Sequence, residues 1–151
     1  MQQELVAGRV RPGRKLGEDM GSKFTESATA VGVVMRELRA RDLLFLDSMT
    51  TADSVAWNVA GRTGVPYARR DVFLDNDWRN PAAIRRQLDH LEEIARLQGF
   101  AVGIGHPHRA TLDVLAKWLP QARRHGLALV PISAIVRHQI EIAHKAGGKA
   151  G

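Results

Sequence analysis

A short apolar run that ends at two histidines constrains the fold of this chain more than any other segment. Phe100–Ile104 is apolar throughout, and Gly105-His106-Pro107-His108 follows it directly before an amphipathic helical pattern. A strand without polar alternation is buried on both faces, as in parallel sheets covered by helices. Residues that follow such strands lie where open α/β sheets and β/α barrels form their active sites. We therefore expect His106 and His108 at a functional site.

Strands and helices alternate along the rest of the chain. Short apolar strands are predicted at Leu43–Leu46, Tyr67–Leu74, Phe100–Ile104 and Leu127–Pro131. Helical periodicity separates them, with Asn80 and Gly99 as the predicted ends of the longest helix. This order predicts an α/β fold, with a parallel β-sheet and alternating helices. It fits either a small open sheet or part of a barrel whose other strands are missing.

The composition predicts one compact domain. The chain has 151 residues, 44% of them apolar, which is enough to bury a core. The polar and basic segment 1–20 is expected to be a loose arm, 21–144 a single α/β domain, and 145–151 a frayed tail. The chain contains no cysteine. Disulfides and thiolate chemistry are therefore excluded, and a metal would have to be held by His, Asp or Glu.

Charge and hydropathy restrict the partners. The formal net charge is +6, but its arginines are scattered and no motif interleaves aromatic with basic residues, so nucleic acid is not an expected partner. No apolar stretch is long enough to span a membrane, and the first 21 residues lack the apolar core of a secretory signal. If Met1 is the true start, the chain is expected to be cytoplasmic.

Polar side chains gather at the predicted strand ends. These residues are Asp47 after the first strand, Asp71, Asp75 and Asn76 in and after the second, and His106 and His108 after the third. The carboxyl ends of parallel strands share one edge, so we expect these groups to converge on one cleft. Carboxylates beside imidazoles suit acid–base chemistry or metal binding, although an aspartate at a strand end is equally typical of a capping residue.

Five motifs, in order, resemble the divergent polysaccharide deacetylase family. They are Met20–Thr25, Leu44–Ser48, Arg70–Asn76, Ile104–Leu112 and Leu129–Ser133. The resemblance covers residues 20–136. It implies a partial, deformed β/α barrel of the glycoside hydrolase/deacetylase type, related to the NodB-like carbohydrate deacetylases. The chain would correspond to the C-terminal half of that domain.

The resemblance also implies a reaction and the residues for it. The reaction is removal of acetyl groups from N-acetylated sugars or polysaccharide by metal-assisted hydrolysis, with zinc as the expected divalent metal. His106 matches the imidazole acid, and Asp47 or Asp71 would orient it or balance its charge. The other assignments are His108, Asp75 and Asn76 for glycan binding, and His106 and Asp19 as metal candidates. Trp78 is added to the glycan-binding group because it stands in the loop after the aspartates, where an indole could line a sugar site. Asp19 stands where the family has a histidine.

Departures from the family pattern keep a second function open. The opening strand with two aspartates and the later His-Leu-Pro-Met-Glu-like segment are absent, so the chain is either a hydrolase or a truncated, catalytically silent module that binds a glycan or a protein. Family members mostly work in the cell envelope, which the resemblance implies here as well. Half a barrel would leave an open sheet edge, so we expect self-association. A monomer at micromolar concentration by light scattering would contradict that expectation.

Overall fold

The computed structural model describes residues 3–7, 24–49 and 51–147. These residues form two compact units. Residues 3–7 and 70–147 belong to the larger unit, and residues 24–49 and 51–69 belong to the smaller unit. The single unit expected over 21–144 is therefore divided. The division falls inside the strand predicted over Tyr67–Leu74, which the structure breaks into two separate strands.

Six strands and five helices make up the described chain. In order they are β1 Gln3–Ala7, α1 Ala28–Ala40, β2 Phe45–Asp47, α2 Ala56–Thr63, β3 Tyr67–Arg69, β4 Val72–Phe73, α3 Pro81–Gln98, β5 Phe100–Ile104, α4 Arg109–Arg124, β6 Leu127–Leu129 and α5 Ile132–Gly147. All strand pairs are parallel, which confirms the predicted parallel α/β architecture. Within the described ranges the strands form open sheets and no closed barrel.

The smaller unit is a two-stranded sheet covered by two helices. β2 pairs with β3, with Phe45 opposite Tyr67. The core of this unit comes from the inner faces of α1 and α2, where Val31, Met35 and Ala60 are buried. Burial of these apolar side chains is the main contribution to the stability of such a small unit.

The larger unit is a four-stranded sheet with the order β4-β5-β1-β6. β1 lies inside this sheet, with Leu5 opposite Ala101 of β5 on one side and Leu129 of β6 on the other. The expected loose arm is therefore wrong for Gln3–Ala7. A five-residue strand that is followed directly by a charged, glycine-containing segment has too little local pattern to be recognised, and it is defined by the two strands that satisfy its backbone. Residues 8–20 lie outside the described residues.

The helix α3 supplies more buried residues to the core of the larger unit than any other described element. Ile84, Leu88 and Leu91 form its buried stripe, as the helical period predicts. Asn80 caps its first turn by accepting a hydrogen bond from the Ala83 amide, and Gly99 ends it with a φ of 92°. Both predicted helix ends are confirmed. The same packing requires glycine on β5, because a Cβ added at position 103 would lie 2.9 Å from Leu91 Cδ2.

The edges of the larger sheet are β4 and β6, which have two and three residues. Self-association through an open edge stays a prediction. At the carboxyl terminus α5 continues to Gly147, so the frayed tail expected from residue 145 is wrong for 145–147. Residues 148–151 lie outside the described part of the chain. Among the described helices, none combines the length and the apolar character that crossing a bilayer requires.

Candidate functional site

Asp75 and His106 meet at the carboxyl ends of two neighbouring strands. The ladder between β4 and β5 places Phe73 opposite Ile104, and the Leu74 amide still donates to the Ile104 carbonyl. The next residues on each strand therefore lie side by side. Asp75 Oδ2 accepts a hydrogen bond of 2.6 Å from the His106 amide, and Oδ1 lies 3.2 Å from His106 Nδ1. One carboxylate thus fixes both the backbone and the ring of His106.

The carboxylate of Asp75 is buried, whereas the imidazole beside it is accessible. Asp75 is 2% exposed, and the His106 side chain is 58% exposed. A third hydrogen bond of 2.9 Å reaches Asp75 Oδ2 from the hydroxyl of Thr111, a fully buried residue in the first turn of α4. Three donors therefore compensate the buried charge, as the interior of a protein requires.

His108 extends the site through an aromatic stack. Its ring lies parallel to the indole of Trp78, with centroids 4.5 Å apart, and 5.7 Å from the ring of His106. The guanidinium of Arg79 lies over the same indole at 4.1 Å from its centroid. The ring contacts of Trp78 are therefore made by protein groups, an imidazole and a guanidinium.

Asp71 is not part of this group. Its Oδ2 accepts a hydrogen bond of 2.7 Å from the Val102 amide, and its own amide donates to the Val102 carbonyl. Val102 precedes His106 by four residues, which is about 13 Å of extended chain. The break between β3 and β4 is the physical reason, because Asp71 lies in the two-residue gap before β4 and Asp75 follows β4. Here Asp71 extends the ladder to β5, and the carboxylate beside the His106 ring is that of Asp75.

Asp47 is the buried end of β2 in the smaller unit. Its two oxygens accept hydrogen bonds of 2.7 Å from the Ser54 hydroxyl and 2.9 Å from the Met49 amide. The second bond is the local turn that aspartate commonly makes after a strand. Of the other predicted site residues, Asn76 is exposed in the loop after Asp75, and Asp19 lies outside the described residues.

Three side chains of the larger unit have the chemistry and spacing to hold a metal ion. Asp75, His106 and His108 each offer one ligand atom, and these atoms lie within 4.8 Å of one another. Two imidazoles and a carboxylate are donors that zinc and other divalent metals accept. The donor types and spacing therefore fit a divalent cation. Oδ1 of Asp75 accepts a hydrogen bond only from the His106 ring, whereas Oδ2 accepts two.

The larger unit contains a second buried carboxylate, that of Glu92, which was not predicted. Glu92, 5% exposed on α3, accepts hydrogen bonds from Trp118 Nε1 at 2.7 Å, Arg96 at 3.0 Å and His125 Nδ1 at 3.1 Å. It lies eight residues after Ile84, on the helical stripe that forms the core. A charged residue at a stripe position was the available signal, because it requires buried partners.

The order of the five motifs and the polar residues at the strand ends agree with the sequence profile of one protein family. The profile of the divergent polysaccharide deacetylases matches residues 8–136. The chain belongs to the divergent polysaccharide deacetylase family. Membership supports a carbohydrate-related, deacetylase-like role.

Two curated relatives are similar in sequence. One is the uncharacterised protein YibQ of Escherichia coli K12, 42% identical over 100 residues, which are 66% of this chain and 31% of YibQ. The other is an uncharacterised protein of Haemophilus influenzae, 37% identical over 106 residues, which are 70% of this chain and 38% of the relative. The chain thus spans about a third of the length of these relatives.

A solved structure has a similar fold. The crystal structure of the uncharacterised protein ATU2773 from Agrobacterium tumefaciens C58 matches 75% of this chain and 46% of its own, with a TM-score of 0.73 and 34% sequence identity. The alternating arrangement of short parallel strands and helices is therefore shared with a solved structure as well as with the family's sequences.

Proposed function

We propose that the larger unit carries the general acid of a hydrolytic site that releases acetate from N-acetylated sugars. His106 is the acid, and Asp75 is the residue that positions it. The contact between the buried Asp75 carboxylate and the accessible His106 ring is the observation that supports this assignment most strongly. Family membership supports the substrate class.

We assign a proton to Nδ1 of His106 from this contact, because an ionised carboxylate only accepts hydrogen bonds. Nε2 is then the ring atom left to hold a second proton. In amide hydrolysis water adds to the carbonyl carbon, the C–N bond breaks, and the nitrogen must leave with a proton. Nε2 of His106 delivers that proton, and the nearby negative charge stabilises the imidazolium until it does.

A divalent cation is the second candidate for this site, favoured by the grouping of Asp75, His106 and His108. A cation held there, most simply zinc, supplies Lewis acidity and an activated water. His106 and His108 would be its imidazole ligands, and Asp75 would either bind it as well or orient His106 as a hydrogen-bond acceptor. One Nε2 atom does not bind a cation and deliver a proton at the same time, so the two assignments of His106 exclude each other.

The first experiment combines acetate release with metal content. Acetate release from N-acetylated chitohexaose is measured for the full chain, for His106→Ala and for His125→Ala. The control is matched, because His125 also places Nδ1 beside a buried carboxylate of the larger unit. We expect His106→Ala to reduce the rate by about 10²- to 10⁴-fold, with no loss in His125→Ala. Zinc is then counted by mass spectrometry after dialysis against trace zinc, for the full chain, His106→Ala and His108→Ala.

The outcomes separate the assignments. Acetate release that depends on His106, with zinc content unchanged in both histidine variants, supports the acid. Stoichiometric zinc that is lost in both variants supports the cation site instead. A full chain that binds chitohexaose but releases no acetate contradicts the hydrolase and supports the silent glycan-binding module.

A further inference from the structure

A groove adjoins the candidate site within the larger unit. It lies between the loop that carries Trp78 and Arg79 and the partly buried face of α4 that runs from Arg109 to Lys117. Trp78 belongs to both the groove and the site, because its indole stacks on His108. A ligand that fills the groove therefore continues directly to the two imidazoles.

The groove offers apolar and polar surface to the same ligand. Pro81, Ala110 and Val114 form its apolar part. The indole of Trp78, 36% exposed, closes the end next to the site. Carbohydrates present apolar C–H faces and polar rims, and small-molecule grooves commonly combine apolar walls with a few placed polar groups.

Positive charge is in excess in the groove. Its four charged residues are Arg79, Arg109, Asp113 and Lys117. Arg109 Nε donates to both oxygens of Asp113 at 3.0 Å, so these two charges compensate each other. Arg79 contacts the Trp78 ring, and Lys117 has no ion pair with any described side chain. Two cations therefore remain for an anionic ligand.

The distance between His108 and Lys117 sets a minimum length for that ligand. His108 is the N-cap of α4, and Lys117 lies nine residues further along the helix, which is about 13 Å at the rise of an α-helix. That reach exceeds one pyranose ring. An anionic group held by Lys117 therefore lies on a different sugar from the one whose acetyl group meets the imidazoles.

We propose that this groove binds an acidic oligosaccharide, in which carboxylate or phosphate groups on neighbouring sugars pair with Lys117 and Arg79. The inference deepens the proposed deacetylase function and rests on it for the identity of the reacting sugar. Exposed ion pairs contribute little individually but select among ligands of otherwise similar shape. The groove therefore discriminates acidic from neutral N-acetylated glycans.

The test is an isothermal titration of the full chain with three probes. They are neutral N-acetylated chitohexaose, a hyaluronan hexasaccharide, which carries a carboxylate on alternate sugars, and 6-O-phosphorylated N-acetylated chitohexaose. We expect at least one acidic probe to bind about tenfold tighter than the neutral one, with the preference decreasing as salt is raised. The probe that binds tighter identifies the anionic group as carboxylate or phosphate.

Three variants test which residues cause the preference for acidic probes. Lys117→Gln and Arg79→Gln each remove one exposed charge and should each reduce the acidic preference several-fold. Arg124→Gln removes an exposed charge from the same helix, outside the groove, and should leave the preference unchanged. Equal affinity for all three probes, no detectable binding of any probe, or an equal effect of Arg124→Gln would overturn the inference. Because the titration needs no turnover, a lack of acetate release contradicts the proposed reaction without changing this result.

Discussion

Asp75 and Glu92 are two buried carboxylates of the larger unit, and each accepts three hydrogen bonds, one of them from an imidazole. The imidazole distances are 3.2 Å for His106 and 3.1 Å for His125. Exposure of the two rings is also similar, at 58% and 46%. Neither the contact nor the accessibility of the imidazole distinguishes one network from the other.

The networks differ in what surrounds them. Glu92 is paired with the cation of Arg96 and with the indole of Trp118, so its charge is neutralised while it joins α3 to α4. Asp75 has no arginine among its three donors, and a second imidazole, His108, lies beside its partner at the ends of two strands. A carboxylate–imidazole pair therefore indicates a catalytic role only under two conditions. No arginine neutralises the carboxylate, and a further reactive group lies beside the imidazole.

Replacing each carboxylate by its neutral amide should show that the two networks differ in their effect on the rate of acetate release. Asp75→Asn keeps the shape of the side chain but no longer stabilises a protonated His106, so we expect acetate release to decrease by about 100-fold, the lower range for general acid catalysis. Glu92→Gln should leave the rate per folded molecule unchanged. Rates are normalised to the folded fraction from circular dichroism. Equal losses in the two variants would show that Asp75 acts through stability alone.

Stability should be affected by both carboxylates. In Glu92→Gln, the indole N–H of Trp118, Arg96 and His125 lose an ionised acceptor, and we expect the free energy of unfolding to decrease by about 2 kcal/mol. Asp75→Asn should lose a similar amount. Urea denaturation measures both. Similar losses of stability in the two variants, together with unequal rates of acetate release, would distinguish the two carboxylates by their role in the reaction. A Glu92 variant as stable as the original chain would mean that the Glu92 network contributes little to folding.

The third donor to Asp75 should have the smallest effect. Thr111→Val removes the buried hydroxyl and nearly conserves shape, so we expect a stability decrease of about 1 kcal/mol. Thr111→Ser retains the hydroxyl, so its stability and its rate of acetate release should stay close to those of the original chain. Urea denaturation and the acetate assay measure the two quantities. A lower rate per folded molecule in Thr111→Val, absent from Thr111→Ser, would show that the hydroxyl helps to position Asp75. A rate unchanged in both variants would assign Thr111 to folding only.

The helices and the central part of the site were predictable because their signals are local. The stripe of α3, its Asn80 and Gly99 ends, and the apolar run before His106 each lie within one stretch of sequence. Parallel pairing then brings polar residues after neighbouring strands together, which is why the convergence of Asp75, His106 and His108 was foreseen. The Trp78–His108 stack depends on a loop conformation, for which the sequence carries no periodic signal.

The carboxylate that contacts His106 depends on a strand boundary. With one strand over Tyr67–Leu74, Asp71 lies within that strand and Asp75 follows it. With the chain divided between β3 and β4, Asp71 lies in the gap before β4, and it is Asp75 that contacts the His106 ring. Boundaries are determined by pairing with other strands, so local propensity locates them poorly. The same limitation hid β1, whose pairing partners are remote in sequence.

The position of β1 between β5 and β6 has a consequence for how the larger unit assembles. Gln3 pairs with Leu127 and Glu4 with Phe100, so the sheet joins segments separated by most of the chain. Contacts of such high sequence separation fold slowly, because the entropy of closing a long loop is lost before the strands gain their hydrogen bonds. During synthesis on a ribosome β1 emerges before either of its neighbours. One side of β1 therefore has no strand to pair with until β5 is complete at Ile104, and the other side has none until β6 is complete at Leu129, so β1 must be protected from wrong partners over that interval.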